Sequence, residues 1–404
     1  MLAEGASNSQ DGIRHLSLLL TTRCNLACAY CYRPRTRGRR MPKSLALAAI
    51  DRVRASPVAE PTLLFTGGEP LLAYPLLRQA ILHARRPRPN GERLRIQINT
   101  NGMLLSAEIA SFLAEQEVEV QLSLDGVPPA QLWRGRRSAS RLRHLLPELK
   151  RRQPHWYRRR LSVAATVGPE TLRFLADSFR HFLSQDLREI RWGAVFSHRG
   201  PDAGPLEPLL EEQLEEVVAD SVRHYRSTGE TPLTLFRPPA PEGRRDGNRG
   251  LLCQAADGGC LAVDPGGETS VCPFLLGGDF PGTGPKGRAR SGLLLGRLSA
   301  RGLPSRLRAV AEASAAGVFR REGKRSDRGD CATCELGADC WACPASILFD
   351  RASEDLDHVP GFPCAFMRAV ARHRARYLAL RGPGYREEFR EVQRSVQFAP
   401  APGA

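Results

Sequence analysis

Short apolar segments alternate with amphipathic segments along the first half of the chain. A short apolar run bounded by turn residues is typical of a buried strand, and apolar positions at helical spacing indicate a helix. Ser44 is the expected N-cap of the first helix. Repeated alternation of this kind predicts a parallel sheet with helices outside it, either open or closed into a barrel. The predicted strands are residues 15–20, 61–65, 94–98, 118–124, 161–167 and 189–196, and the predicted helices are residues 44–54, 74–85, 106–115 and 170–183.

The second half of the chain has a different pattern. Residues 206–227 are predicted to form one long helix, and residues 228–250 are rich in Pro, Gly and Arg, as a linker is. From residue 251 onward the sequence consists of short apolar pieces, glycines and cysteines, and a last helix is predicted over residues 362–381. A region with so little apolar sequence is expected to fold around bound metal.

Composition changes this picture little, whereas the distribution of charge adds information about partners. The 404 residues are 42% hydrophobic, with no apolar run of membrane-spanning length and no secretory signal, so we expect a cytoplasmic protein without a membrane partner. The net charge of +16 is concentrated in residues 33–43 and 134–160. A localised basic surface suits an acidic peptide, a phosphate or a nucleic acid, and the alternative is solvated charge in loops. Aromatic residues are sparse in the second stretch, which argues against a nucleic-acid partner.

Eleven cysteines divide into two groups, and in a cytoplasmic chain they indicate metal binding rather than disulfides. The first group, Cys24, Cys28 and Cys31, has the spacing C-x3-C-x2-C and follows the first predicted strand. Three thiolates leave one iron of a 4Fe–4S cluster open to a small molecule, since full protein ligation takes four. The alternative, a structural zinc site, lacks a fourth ligand nearby.

Four motifs together resemble those of the radical S-adenosylmethionine (radical SAM) enzymes. The cysteine motif includes an aromatic residue, Tyr30, and residues 67–70 resemble the family's GGEP loop. Residues 99–102 resemble the NTNG-type turn after the fourth strand region, and residues 123–126 resemble the SLDG turn after the next strand. The resemblance covers roughly residues 13–200 and implies a partial (β/α)6 TIM-like barrel. It also implies that a 5′-deoxyadenosyl radical, formed from S-adenosylmethionine, abstracts a substrate hydrogen.

The resemblance assigns provisional roles to the polar residues of these motifs. Backbone at Gly67 and Gly68 and the Glu69 side chain would hold the methionyl ammonium, and Tyr30 would lie against the adenine or pack beside the cluster. Contacts to ribose and methionine would come from strand ends, namely from Asn99, Ser123 and Asp125. No catalytic base can be named, and Asp264, Asp279, Arg191 and His198 are further guesses only.

The later cysteines resemble the SPASM auxiliary-cluster domain that follows many radical SAM barrels. The pattern departs by one residue, because two rather than three residues separate the last closely spaced pair, Cys340 and Cys343. The resemblance implies two interleaved 4Fe–4S clusters here, so with the cluster of the first cysteine group there would be three. The competing assignment is a zinc-ribbon site formed by the four closely spaced cysteines. The first auxiliary cluster would use Cys253, Cys260, Cys272 and Cys343, and the second would use Cys331, Cys334, Cys340 and Cys364.

These resemblances imply a maturase that forms an oxidative C–C, C–O or thioether crosslink in a ribosomally made peptide. The alternatives are an anaerobic sulfatase-type maturase that makes formylglycine, an enzyme acting on RNA, and a purely structural zinc protein. Pro273 stands where the sulfatase branch has an Asp, which counts against that branch. The implied partners are a peptide or protein substrate with an acidic leader, an electron donor such as flavodoxin or ferredoxin, and a separate leader-recognition protein, since the barrel begins near residue 13.

The predicted organisation has four parts. A radical SAM barrel is expected over residues 13–205, and a bridging helix and linker over residues 206–250. A SPASM domain is expected over residues 251–370, and a C-terminal helix and tail over residues 371–404.

Overall fold

A computed structural model of the protein describes most of the chain. The described residues are 12–33, 38–89, 91–196, 206–238, 253–277, 284–299, 302–303, 305–307, 309, 317, 319–336, 340, 343–350 and 352–382.

Six parallel strands, each followed by helical structure, form a partial barrel. The strands are β1 (His15–Thr21), β2 (Thr62–Gly67), β3 (Arg95–Thr100), β4 (Glu119–Ser123), β5 (Leu161–Val167) and β6 (Ile190–Ala194). The helices are α1 (Lys43–Arg54), α2 (Tyr74–Ala84), α3 (Ala107–Glu115), α4 (Pro128–Gln131), α5 (Arg136–Arg152), α6 (Pro154–Arg160), α7 (Pro169–Leu172), α8 (Leu175–Ser184) and α9 (Glu207–Thr228).

The strands lie side by side in their order along the chain, from β6 to β1. Each pair is parallel, so all six carboxyl ends meet at one rim of the sheet. Along β1 the side chains of Leu16, Leu18, Leu19 and Leu20 are fully buried, and helices α1 and α2 bury their own apolar faces. A strand apolar on both faces is typical of a parallel sheet covered by helices. The α/β fold predicted from the alternation is confirmed.

Local differences from the predicted elements have identifiable causes. The NTNG-type turn expected after the fourth strand region instead follows β3, the third strand. Ser44 does not cap α1, because that helix begins one residue earlier, behind Pro42. The helix predicted over residues 170–183 is broken into α7 and α8 where Phe174 leaves helical geometry.

The second basic stretch is helical rather than a set of loops. It supplies α5 and α6, although Pro147 lies inside α5. Leu142, Leu145 and Leu149 form the buried face of α5, and most of its arginines lie on the other side. The many arginines obscure this apolar stripe in the sequence, because they dominate any average over the segment.

The cysteine-rich region does not stand apart from the barrel, since its first strand extends the barrel sheet. Strand β7 pairs in parallel with β1, with Cys260 opposite His15, and β8 and β9 continue the sheet with antiparallel pairing. Two very short strands, β10 and β11, form a separate hairpin. The remaining elements are β7 (Cys260–Val263), β8 (Glu268–Ser270), α10 (Pro285–Gly292), β9 (Leu294–Arg297), β10 (Arg325–Ser326), β11 (Gly329–Asp330), α11 (Pro344–Phe349) and α12 (Gly361–Arg381).

Two of the predicted boundaries fall inside packed structure. The described part of the predicted linker contains Phe236, which is fully buried and stacks on Tyr377 of α12 at 5.4 Å between ring centroids. The predicted boundary at residue 370 lies in the middle of α12. Within the described residues, no helix combines the length and the apolarity needed to cross a bilayer.

Candidate active site

A cavity of about 1240 Å³ opens at the rim where β1 to β4 end. The loop after β1 and the loop after β2 form its wall, as expected for a parallel α/β fold in which sites lie at the carboxyl ends of strands. Three predicted residues, Tyr30, Glu69 and Asp125, do not line it. The predicted site residues that do line it are Cys24, Cys28, Cys31, Gly67, Gly68, Asn99 and Ser123.

The barrel holds the cysteine loop through hydrogen bonds rather than through burial. The Cys24 sulfur accepts from the backbone N–H of Leu26 at 3.4 Å, and the Asn101 amide donates to Asn25 Oδ1 at 2.8 Å and to the Cys24 sulfur at 3.8 Å. Cys24 and Cys31 are exposed to the cavity, whereas Cys28 is half-buried. Burial raises the pKa of the Cys28 thiol to about 11.

The glycine pair after β2 is required by close backbone contact. Both glycine backbones lie close to the chain at the end of β1. A Cβ at position 67 would come within 2.4 Å of the Thr21 carbonyl oxygen, and a Cβ at position 68 would come within 2.2 Å of the Arg23 carbonyl oxygen. Gly67 also has a φ of +138°, which disfavours other residues. The Gly68 N–H donates to the Thr21 carbonyl at 2.8 Å, so the two loops are joined as one wall.

The Glu69 carboxylate accepts three hydrogen bonds from within the protein, and its expected role as a ligand of the methionyl ammonium stays a prediction. Its side chain is fully buried, and Oε1 accepts from the Leu71 N–H at 3.0 Å and from the Thr100 hydroxyl at 2.7 Å, while Oε2 accepts from the Asn101 N–H at 2.8 Å. Burial raises the pKa of this carboxyl, and the hydrogen bonds oppose that shift. The carboxylate therefore joins the loops after β2 and β3 and does not face the cavity.

Asp125 is likewise a structural anchor in this arrangement. Its carboxylate accepts from the Tyr30 hydroxyl, from the Thr166 N–H at 2.9 Å and from Arg134 Nη2 at 2.8 Å, and its side chain is fully buried. The Arg134 guanidinium also lies 5.4 Å from the centre of the Tyr30 ring. Tyr30, which lies within the cysteine loop, thus packs against Asp125 and Arg134. Burial raises the pKa of its hydroxyl.

Arg134 and Arg33 are cavity-lining residues that the sequence does not single out. Each was counted only as part of a basic stretch, yet Arg134 is buried and its charge is paired with Asp125. The Nε atom of each guanidinium is buried and has no hydrogen-bond partner among the described residues.

An aromatic cluster closes one side of the cavity, between the first cysteine group and the later cysteines. Tyr32 follows Cys31 directly, and its ring centroid lies 5.1 Å from that of Phe274, 5.3 Å from Phe349 and 5.9 Å from Phe196. Phe274 lines the cavity and lies two residues after Cys272. The cluster is therefore an apolar contact between the cysteine loop and the later cysteine region.

The later cysteines gather in two groups drawn from distant parts of the chain. Burial, followed by the neighbouring thiols of Cys343, Cys253 and Cys260, raises the pKa of Cys272 well above its usual value. Burial, followed by the neighbouring thiol of Cys253, raises the pKa of Cys343 to about 12. The other group lines one small cavity and consists of Cys331, Cys334, Cys340 and Cys364.

This grouping separates Cys343 from the three cysteines that precede it most closely in sequence. Cys343 instead lies near Cys272 and Cys253, and the interleaved and zinc-ribbon assignments both stay predictions. Among the described residues, no three His, Cys, Asp or Glu side chains are arranged to share a single metal ion. The donor sets are thiols around a common space, which suits a multi-iron cluster bound by thiolates.

Residues 18–170 match the model of the Radical SAM superfamily. This part of the chain is a radical SAM domain. The match covers β1 to β5 and therefore includes the cysteine loop, the glycine pair and the Asp125–Arg134 pair.

Two relatives place the radical SAM domain among enzymes with different substrates. The GTP 3′,8-cyclase of Mycobacterium ulcerans is 38% identical over 120 residues, or 28% of this chain and 32% of that protein. The cysteine-type anaerobic sulfatase-maturating enzyme of Clostridium perfringens is 26% identical over 217 residues, or 49% of this chain and 54% of that protein. The chain thus spans between about a third and a half of the length of the curated relatives it matches.

Solved structures extend the similarity to the whole fold. The structure of anSMEcpe with bound AdoMet has a TM-score of 0.64 at 16% identity, covering 91% of this chain and 94% of that chain. The structure of Streptococcus suis SuiB bound to precursor peptide SuiA has a TM-score of 0.53 at 15% identity, covering 88% of this chain and 76% of that chain. At these identities the likeness concerns the fold alone.

The donor set of the radical SAM domain fits the cofactors of the superfamily. Three thiols from one loop share a single cavity with a glycine-rich wall and two arginines that have unsatisfied donors. Of the further guesses at a catalytic group, His198 and Asp279 lie outside the described residues. Arg191 and Asp264 do not line the cavity.

Proposed function

We propose that this radical SAM enzyme oxidises a residue of a ribosomally made peptide and joins it to a second group in a crosslink. The observation that carries the proposal is the size and position of the cavity. At about 1240 Å³ it exceeds the usual range of small-molecule sites, roughly 300–1,000 Å³, and it opens at the barrel rim. It can therefore take a segment of polypeptide beside a bound nucleoside cofactor.

The chain's own residues would bind and orient the reacting groups. Cys24, Cys28 and Cys31 would hold the iron–sulfur cluster, and the backbone at Gly67 and Gly68 would receive the methionine part of S-adenosylmethionine. Asn99 and Ser123, which line the cavity at strand ends, would contact ribose or methionine. When bound, the cluster and S-adenosylmethionine together supply a radical that removes hydrogen from an unactivated carbon.

Oxidation of the substrate requires a second electron to leave. We assign this role to the two later thiol groups, each of which would hold a 4Fe–4S cluster with four cysteines. The aromatic cluster of Tyr32, Phe196, Phe274 and Phe349 separates the nearer of these groups from the cavity and would exclude water from the reaction. A flavodoxin or ferredoxin would exchange electrons with the enzyme.

The residue after Cys272 favours a crosslink over formylglycine. Pro273 occupies this position, and its carbonyl accepts from Arg33 Nη2 at 3.3 Å. Among the described residues no carboxylate lines the cavity. Removal of the hydroxyl or thiol proton of a Ser or Cys substrate would therefore lack the acidic side chain that the sulfatase branch has.

Sulfatase-type maturation is the second candidate. It is supported by the sequence similarity to the Clostridium perfringens enzyme, which extends beyond the part that matches the cyclase. The two candidates differ in product, because formylglycine carries an aldehyde and a crosslink does not.

The experiment is anaerobic co-expression with a short peptide encoded beside the gene, followed by mass spectrometry. A crosslink removes two hydrogens, a loss of about 2 Da, and leaves a product that does not react with a hydrazide. A product of the same mass that forms a hydrazone would be formylglycine from Ser and would replace the proposal by its alternative. The variant Cys24→Ala is the control and should leave the peptide unmodified. If no peptide changes in mass and 5′-deoxyadenosine is not formed, the proposal is rejected.

A further inference from the structure

We propose that the mouth of the cavity binds an acidic segment of the substrate through Arg23, Arg136 and Arg137. This inference rests on the proposed function and names its substrate class. The described residues that line the cavity include five arginines and no Asp or Glu. A concave wall of one charge sign concentrates ligands of the opposite sign.

The five arginines differ in how they are used. The charge of Arg134 is paired with Asp125, and Arg33 donates to the carbonyl oxygens of Pro273 and Leu276. Arg23, Arg136 and Arg137 are exposed, and none of their side chains makes an ion pair or hydrogen bond with another described residue. These three are therefore available to a ligand.

Five basic side chains elsewhere in the second basic stretch have carboxylate partners, although Glu148 and Asp186 each serve two of them. Arg141 and Arg152 pair with Glu148, and Lys150 pairs with Asp186. Arg158 also pairs with Asp186, and Arg160 pairs with Glu119. The cavity mouth differs from these positions, because no carboxylate of the described residues lines it.

Two of the mouth arginines lie at a helix position where they lower helix stability. Arg136 and Arg137 are the first two residues of α5, whose first turn contains no acidic residue and has no side-chain cap. Basic side chains at a helix N-terminus oppose the helix dipole, so they do not serve stability there. The backbone N–H groups of the same turn also attract an anion.

Bound cofactors would not remove the positive charge. A cluster held by three thiolates has a net negative charge, and S-adenosylmethionine has a net positive one, so the two largely cancel. The mouth arginines would remain in excess, and an acidic peptide would balance them.

Apolar side chains beside the arginines define the ligand further. Leu132 is 51% exposed and Trp133 is 37% exposed, directly before the arginines in sequence. The Trp133 carbonyl accepts from the Ala29 N–H at 2.8 Å, which fixes this turn against the cysteine loop. An exposed Leu–Trp pair next to unpaired arginines suits a peptide in which acidic and apolar residues adjoin. A nucleic acid would instead need a longer track of unpaired basic residues along its phosphates.

Binding can be tested without turnover. A fluorescein-labelled peptide of alternating Glu and Leu, and its counterpart with Gln in place of Glu, would be titrated with the reconstituted holoenzyme and followed by anisotropy. We expect the acidic peptide to bind about tenfold more tightly, and we expect Arg136→Gln with Arg137→Gln to remove most of that difference. The preference should shrink as ionic strength rises.

A matched control variant distinguishes the arginines at the cavity mouth from the other arginines of α5. Arg143 and Arg151 are exposed on α5 and lie away from the cavity, and no ion pair of theirs is found among the described residues. The double variant Arg143→Gln with Arg151→Gln has the same charge change and should bind both peptides within about twofold of the wild type.

Three results would overturn the inference. Equal affinity for the two peptides would exclude an acidic recognition site, and equal weakening by both double variants would show only a general charge effect. A single-stranded oligoribonucleotide that displaces the peptide and binds more tightly would assign the mouth to nucleic acid. None of these depends on the reaction, so a failed crosslinking assay and a failed binding assay can be told apart.

Discussion

The two cysteine regions of this protein are built on opposite principles. At the barrel mouth, parallel strands and buried hydrogen bonds form a rigid wall, and two of the three thiols are exposed on it. In the later region the strands are short, and the thiols are themselves the points where distant segments meet. Cys272, for example, is held near Cys343, which lies 71 residues further along the chain.

The difference teaches where stability and activity reside. The mouth has a scaffold that exists without metal, because β1 to β4 bury their apolar residues on their own. In the later region the thiols join segments that are distant in sequence, so metal binding there would supply folding free energy. Loss of the thiols at the barrel mouth should therefore lower activity, whereas loss of the later thiols should disrupt the structure.

The largest expected effect comes from removing the mouth thiols. The triple variant Cys24→Ala, Cys28→Ala and Cys31→Ala should lower the rate of S-adenosylmethionine cleavage by at least about a thousandfold, or roughly 4 kcal/mol in activation free energy. Its circular dichroism spectrum and its remaining iron should be preserved, because the barrel wall does not depend on these thiols. Cleavage at the wild-type rate, measured as 5′-deoxyadenosine under dithionite, would refute the placement of the catalytic cluster.

Removal of iron should unfold one region before the other. With an iron chelator we expect the mouth to lose its metal first, since its thiols are exposed, and the region from Cys253 to Cys364 to become protease-sensitive as its own metal leaves. Mass spectrometry of the fragments would locate the cuts. Cleavage spread evenly over β1 to β6 as well would show that the barrel too depends on metal.

Within the barrel, Asp125 should be the most sensitive polar residue. Asp125→Asn leaves the buried Arg134 guanidinium without its counter-charge, and we expect the free energy of unfolding in urea to fall by about 3–5 kcal/mol. Asp177→Asn is the matched control, because Asp177 pairs with Arg180 at the surface and should cost about 1 kcal/mol or less. Similar losses in the two variants would contradict the anchoring role.

A smaller effect is expected at the start of α3. The Ser106 hydroxyl accepts from the Ile109 N–H at 3.2 Å and caps this helix. Ser106→Ala should lower the free energy of unfolding by about 1 kcal/mol, whereas Ser140→Ala, at an exposed position inside α5, should change it by less than about 0.5 kcal/mol. If Ser140→Ala is the more damaging variant, the cap does not stabilise the barrel as described.

The sequence predicts the barrel better than it predicts the site. Strand periodicity and the four motifs locate β1 to β6, since apolar runs and glycine turns are local signals. They do not tell whether a polar residue at a strand end faces the cavity or a neighbouring loop. For that reason the motifs predict a ligand role for Glu69 and Asp125 and give no sign that both carboxylates accept hydrogen bonds from donors within the barrel.

The features that the sequence does not reveal depend on contacts between residues that are distant along the chain. Arg134 is one of ten arginines between residues 134 and 160, and nothing local marks it as the one whose charge is buried. Its role depends on Asp125 and Thr166, which lie on other strands or loops. The pairing of β7 with β1 is hidden for the same reason, because it joins a four-residue strand to a partner far away in the sequence.

That pairing sets an order on folding. β1 is synthesised long before β7, so one of its edges stays unpaired until Val263 has left the ribosome, some 240 residues later. During that interval the nascent barrel presents an open row of N–H and C=O groups, which is a template for pairing with other chains. Loop closure over such a separation is slow. Anaerobic cells that overproduce this enzyme should thus lose it to aggregation chiefly at the stage before the later cysteines are made.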